Sequence, residues 1–151
     1  MLGESRSLES VSRRDSIELL SSVVVGRVVF THSALPAVVP VTFAVLDDAV
    51  VLRTSAGTRL AAAADRGVLA LEADGIDPVA RTGWSVVVTG LAELVTDPIR
   101  RGQILSVVEP FAPGDNDVHV RLPLTVVTGR RVVVSTAHEP VTSGGSPYRL
   151  P

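Results

Sequence analysis

The 151-residue chain has no cysteine and no lysine, and its aromatic residues number one Trp, one Tyr and three Phe. Without cysteine there is no disulfide framework, no thiolate nucleophile and no thiolate zinc site. All 14 basic residues are arginine, set against 16 acidic ones for a net charge of −2, so the basic face that nucleic acid requires is not expected. Scarce aromatics also remove the platforms on which bases stack. Apolar runs such as Val23-Val24-Val25 are far too short to cross a bilayer as a helix, and the opening MLGESRSLES lacks the apolar centre of a secretory signal. The expectation is a cytoplasmic protein with neither nucleic acid nor membrane as partner. Chemistry-bearing motifs are equally sparse. There is no Gly-x-Ser-x-Gly elbow. His32, His119 and His138 lack metal-ligand spacing and are expected at the surface. Glu72, Asp74 and Asp77 do not form a calcium-loop pattern and read as a solvated turn. No metal ligand and no catalytic acid or base is assigned.

What is present is an apolar fraction of 46 %, enough for one ordinary core, distributed in short β-branched runs. Residues 1–11 are polar and expected to be disordered. Ser12, with Asp15 three residues on, signals a helix start, and the helix should end near Ser22. Strands are predicted over Val23–Thr31, Ala37–Leu46 and Ala49–Thr54, separated by short turns that suit antiparallel hairpins. A short alanine-rich helix follows at Thr58–Asp65, then a strand at Val68–Glu72 and a loop at Ala73–Thr82. Trp84–Val95 alternates, with Trp84, Val86, Val88 and Gly90 on one face and Ser85, Val87, Thr89 and Leu91 on the other. Asp97-Pro98 opens a helix to about Val108, EPFAPGDND reads as a loop, and strands at Val118–Leu122 and Thr125–Thr136 end the ordered region. Residues 137–151 are expected to be a flexible tail. Short antiparallel strands interrupted by short helices close into small barrels, giving a mainly β fold over residues 12–136.

The stretch AVVLRTSAGTRLAAAA, residues 49–64, carries most of the functional signal. Arg53 ends a strand, Gly57 permits a turn without a Cβ clash, and Arg59 begins a helix. Backbone N–H groups of Ser55, Thr58 and Arg59, with two guanidinium groups, are suited to a phosphate. The same residues also read more plainly as a helix cap, a turn and two solvated arginines. Trp84 reads either as a core or interface anchor or as a ring contact.

The segment GRVVFTHSALPAVVPVTFAVLDDAVVLRTSAGTRLAAAA, followed by GWSVVVTGLAELVTD, resembles the pyridoxamine 5′-phosphate oxidase-like family of FMN-binding split β-barrels, particularly its small actinobacterial members. The resemblance implies a six-stranded antiparallel split β-barrel that pairs as a homodimer with flavin in the clefts between subunits. It places Val41 and Thr42 beside the flavin ring, and Arg53, Thr54 and Ser55 along the ribityl-phosphate channel. Thr58 and Arg59 fall at the phosphate, and Trp84 and Ser85 reach the flavin from the partner subunit. FMN is the expected cofactor, with the deazaflavin F420 as the alternative. The implied function is an oxidoreductase passing hydride between the flavin and a small-molecule substrate. An F420-dependent reductase and a dimeric ligand-binding protein without catalysis are the alternatives. Thr42 stands where relatives often have asparagine, Phe111 where they often have tryptophan, and Leu91 where arginine is common.

Overall fold

The computed structural model describes residues 3–136; the tail predicted from Ala137 and the third histidine, His138, lie outside the described residues. The elements in chain order are β1 (Glu4–Val11), α1 (Arg13–Ser21), β2 (Val25–His32), β3 (Leu35–Leu46), β4 (Ala49–Thr54), α2 (Arg59–Ala64), β5 (Val68–Asp77), β6 (Thr82–Leu91), β7 (Glu93–Leu94), α3 (Pro98–Val107), β8 (Val118–Pro123) and β9 (Val126–Thr136). The strands join in the order β1-β9-β6-β5-β2-β3-β4-β8-β7. Every pairing is antiparallel.

The strand order hides a closed ring. β7 continues directly from β6 across Ala92, and β7 pairs with β8 while β6 pairs with β5 and β9. Taking β6 and β7 as one bent strand, the circuit β6/β7-β5-β2-β3-β4-β8 contains six strands, as expected for the split barrel. β9 and β1 extend one flank beyond that ring. Closure leaves the inward residues no solvent: Val28, Leu52, Leu71, Val86, Val88, Val120 and Leu122 are buried in a single cluster, with Leu20 of α1 and Leu60 of α2 packed into it. Of the two faces expected for β6, the one carrying Val86 and Val88 turns inward, and both are fully buried.

Helix starts follow the sequence signals. Ser12 Oγ accepts from Asp15 N at 3.1 Å, Thr58 Oγ1 from Ala61 N at 3.1 Å and Asp97 Oδ2 from Arg100 N at 2.9 Å. Helix α3 packs on the outside of the barrel, where Ile104 and Val108 meet Val51 and Val95 in a smaller apolar cluster.

Three expectations need correction. Residues 4–11 are a strand, not disordered, held along β9 from Glu4↔Thr136 to Val11↔Gly129. Almost all of β1 is exposed, so it carries no alternating apolar face, and its order comes from backbone pairing. Residues 73–77 continue β5 in register with β6 to Asp77↔Thr82, and the turn itself is confined to the next few residues. There Asp77 Oδ1 accepts from Val79 N and Ala80 N, both at 3.0 Å. His119, expected at the surface, is only 1 % exposed, because β8 presents it to the underside of α3.

Candidate functional site

Strand β4 presents alternate residues to opposite sides, so Thr54 and Arg53 leave its end in different directions. Arg53 turns toward the end of α3 and the following loop. Its Nε donates to Asn116 O at 3.2 Å and its Nη1 to Val108 O at 3.3 Å. Thr54 Oγ1 lies 3.1 Å from Thr58 Oγ1, and Thr58 Oγ1 donates to Ser55 O at 2.9 Å while capping α2. Gly57 takes a φ of 80°, the left-handed turn that the sequence required of it. Arg59, at the start of α2, is exposed and makes no hydrogen bond or ion pair among the described residues.

These groups border a cavity of about 330 Å³ between β2–β3, the start of α2 and the α3–β8 loop. One wall is apolar, built from Phe30, Val39, Pro40 and Val41, with Leu60 beneath. The other carries Arg53, Thr54, Thr58 and Arg59, and Phe111, Ala112 and Asn116 border it from the loop. An apolar slot with a cluster of donors at one end suits a flat ring with an anionic tail. Among the described residues that line it there is no carboxylate, histidine, lysine or thiol, so no side chain there can serve as a proton donor or base near neutral pH.

The site residues predicted from sequence thus divide. Val41, Thr42, Arg53, Thr54, Thr58 and Arg59 line one cavity. Ser55 does not; its hydroxyl accepts from Asn116 N at 3.1 Å and fixes the loop instead. Trp84 and Ser85 border a separate cavity by the β5–β6 hairpin and do not meet Arg53 or Arg59 within this chain. Thr42 also has a structural duty, since its hydroxyl donates to Glu109 O. Sequence reasoning missed Asn116, which adopts a φ of 50° and whose Nδ2 donates to Ala112 O at 3.0 Å and Gly114 O at 3.1 Å. An asparagine after Gly114-Asp115 is a recognisable left-handed turn residue, and that was the available signal.

The model of the pyridoxamine 5′-phosphate oxidase family matches residues 12–131. The chain belongs to this family. Within the wider set of similar proteins, the uncharacterized protein Rv0080 of Mycobacterium tuberculosis is 42 % identical over 136 residues, covering 87 % of this chain and 90 % of that protein. The structure of an FAD-binding protein from Mycobacterium smegmatis is 32 % identical with a TM-score of 0.65, covering 83 % of this chain and 98 % of the other. An FAD-binding protein from Mesorhizobium loti has a TM-score of 0.71 over 85 % of this chain and 99 % of its own, and at 20 % identity the likeness is one of fold. In this oxidase-family chain the matched segment runs from the start of α1 into β9 and contains every residue of both cavities except Leu8 and Val132.

Proposed function

We propose that the chain binds a flavin through the cavity between β3, β4 and α2, as a cytoplasmic homodimer, and serves as a flavin-dependent oxidoreductase. The observation that carries the reading is the cavity itself, which brings Arg59, free of any partner among the described residues, to the donor end of an apolar slot. A flavin bound there supplies hydride transfer. The chain's residues would do the rest. Val39, Pro40 and Val41 would pack the ring, Thr54, Thr58 and Arg59 would hold the phosphate, and Phe111 would limit water at the loop side. Arg53 adds charge, but two of its N–H groups already hold backbone carbonyls, so its first task is to place the loop. FMN is the proposed flavin, and the FAD-binding relative makes FAD the comparison ligand.

The homodimer has its own support. On the outer face of the barrel, Val38, Val29, Ala70, Thr89 and Val126 stand in one register row across five strands. Val38 is 62 %, Val29 37 % and Val126 52 % exposed in the single chain. A row of this kind is suited to a second copy of the same sheet.

The test is a titration of the purified protein with FMN, FAD and F420, followed by flavin absorbance and fluorescence. FMN should bind, and Arg59→Ala should weaken it tenfold or more, because each charge-assisted hydrogen bond contributes about 1.5–3 kcal/mol. Unchanged FMN affinity in Arg59→Ala would refute the placement. Tight binding of F420 alone would move the reading to a deazaflavin reductase. The lack of any acid or base side chain in the cavity favours a second reading, a ligand-binding protein without turnover. Bound flavin that no nicotinamide cofactor or added acceptor can reduce or reoxidise would support it.

A further inference from the structure

Beneath α3, β4 and β8 turn Arg53 and His119 to the same outer face of the barrel, directly opposite each other. Val51, two residues back along β4 on that face, belongs to the apolar cluster with Val95, Ile104 and Val108. His119 is 1 % exposed, and both ring nitrogens lack a hydrogen-bond partner among the described residues. The charged groups acting on the ring are Arg53 from β4, Arg101 from α3 and Asp117 from the segment that enters β8. On β8 itself Arg121 follows two residues on, and its Nη1 lies 3.3 Å from Glu93 Oε2 of β7. Two cations and one exposed carboxylate therefore bear on a ring whose nitrogens have no acceptor in place.

The same two cations are the clamps of the segment 108–117. Arg53 donates to Val108 O at 3.3 Å and to Asn116 O at 3.2 Å. Arg101 donates through Nη2 to Asp117 O at 2.8 Å and through Nη1 to Val95 O at 3.4 Å. Between these clamps, Phe111, Ala112 and Asn116 border the cavity between β3, β4 and α2. A proton on His119 adds a third cation beside the two guanidinium groups and a second N–H without an acceptor, both costly in a buried space. Water cannot reach the ring while the segment is seated, so lifting the segment relieves both costs. Burial and the two arginines hold the seated ring below its ordinary 6.5, the value it regains on reaching water. The lifted segment therefore gains on the seated one as pH falls below 6.5, by up to about tenfold per pH unit.

We propose that His119 is an acid-operated latch: neutral, it lets Arg53 and Arg101 hold the segment 108–117 against the barrel, and protonated, it releases that segment and opens the loop side of the cavity. The release stands on contacts within this chain, and its effect on flavin affinity rests on the flavin reading.

Native-state amide exchange at pH 7.5 and 5.5, with each rate corrected for the pH dependence of chemical exchange, tests the latch without a ligand. Asn116 N, held by Ser55 Oγ at 3.1 Å, reports on the segment, and Val86 and Val88 report on the barrel core. Asn116 should exchange faster than the core amides, through local opening, and its corrected rate should rise about threefold or more at pH 5.5. His119→Leu and His119→Gln cannot take up the proton and should abolish that rise. A corrected rate at Asn116 that does not change with pH would overturn the proposal, as would a rise that persists in either folded variant. Exchange at Asn116 as slow as at Val86 at both pH values would overturn it too, since the segment would then leave only with the whole barrel. FMN dissociation is followed in parallel as the ratio of the parent to His119→Leu, which cancels the titration of the phosphate itself near pH 6. That ratio should rise severalfold at pH 5.5. FMN that binds at neither pH would count against the flavin reading alone, because exchange at Asn116 decides the latch.

Discussion

His119 combines deep burial with a titratable ring that has no hydrogen-bond partner among the described residues, so a single residue couples stability to pH. It is 1 % accessible, and neither Nδ1 nor Nε2 has a hydrogen-bond partner among the described residues. Burial lowers its pKa below the ordinary 6.5, Arg101 of α3 and Arg53 of β4 lower it further, and Asp117 opposes them. A histidine held neutral in the fold takes up its proton more readily when unfolded. Stability is therefore full above the unfolded value of 6.5 and declines as pH falls below it toward the folded value. Glu72 contributes the opposite slope. Burial raises its pKa from 4.5 to about 7, the neighbouring Asp74 carboxylate adds to the rise, and Arg27 opposes it. Stability from Glu72 is full below 4.5 and is lost as pH rises through about 7. Denaturant titrations across pH 5–8 on His119→Leu and Glu72→Gln separate the two. His119→Leu should flatten the acidic limb and raise stability by about 1 kcal/mol, since an unmatched buried polar group leaves. Glu72→Gln should flatten the neutral limb. An unaltered acidic slope in His119→Leu would show that another group titrates there.

At the scale of elements, the segment 109–117 is a loop with an unusual number of anchors for its length. Thr42 holds Glu109 O, Arg53 holds Val108 O and Asn116 O, Ser55 holds Asn116 N, and Asn116 closes the loop on itself through Ala112 O and Gly114 O. Three of the residues read from sequence as flavin ligands are thus also fasteners of the cavity's loop side. Asn116→Ala removes two side-chain bonds and places a Cβ residue without local compensation at a φ of 50°. It should cost about 1–3 kcal/mol and speed amide exchange across 109–117 more than in the barrel strands. Flavin affinity should fall with it. Asn116→Gly, which keeps the backbone freedom, should recover part of the stability. The sequence disclosed the strands of the barrel and the starts of all three helices, because β-branched runs and cap residues are local signals. It concealed β1, whose polar residues are ordered by a partner 120 or more residues away, and it concealed the burial of His119, which depends on where α3 docks. Of the site, the pattern around Gly57 left two readings open, a phosphate site at Arg53 and Arg59 or two solvated arginines; both residues line one cavity, and the use of Arg53 as a backbone clamp is a tertiary fact.

For the whole molecule, the open question is what meets the outer sheet. The row Val38, Val29, Ala70, Thr89, Val126 crosses the face from β3 to β9, and the next row, Pro40, Arg27, Glu72, Val87, Thr128, sets Arg27 opposite Glu72 near its middle. A face that is apolar along one row and carries two polar side chains along the next can bury itself against a copy while fixing the relative angle. Val29 stands second in this row, opposite Val38 on one side and Ala70 on the other, and a charge there falls within the apolar row. Val29→Glu points outward in the single chain, so the barrel core is untouched. Sedimentation at micromolar concentration should show the parent chain at twice its 15.8 kDa mass and Val29→Glu at the single mass with an unchanged far-ultraviolet spectrum. Flavin binding should weaken in the same variant, because Trp84 and Ser85 reach the first cavity only from a partner chain under this reading. A monomeric parent that binds FMN with full affinity would remove the dimer from the account and leave Trp84 to the cavity by the β5–β6 hairpin alone.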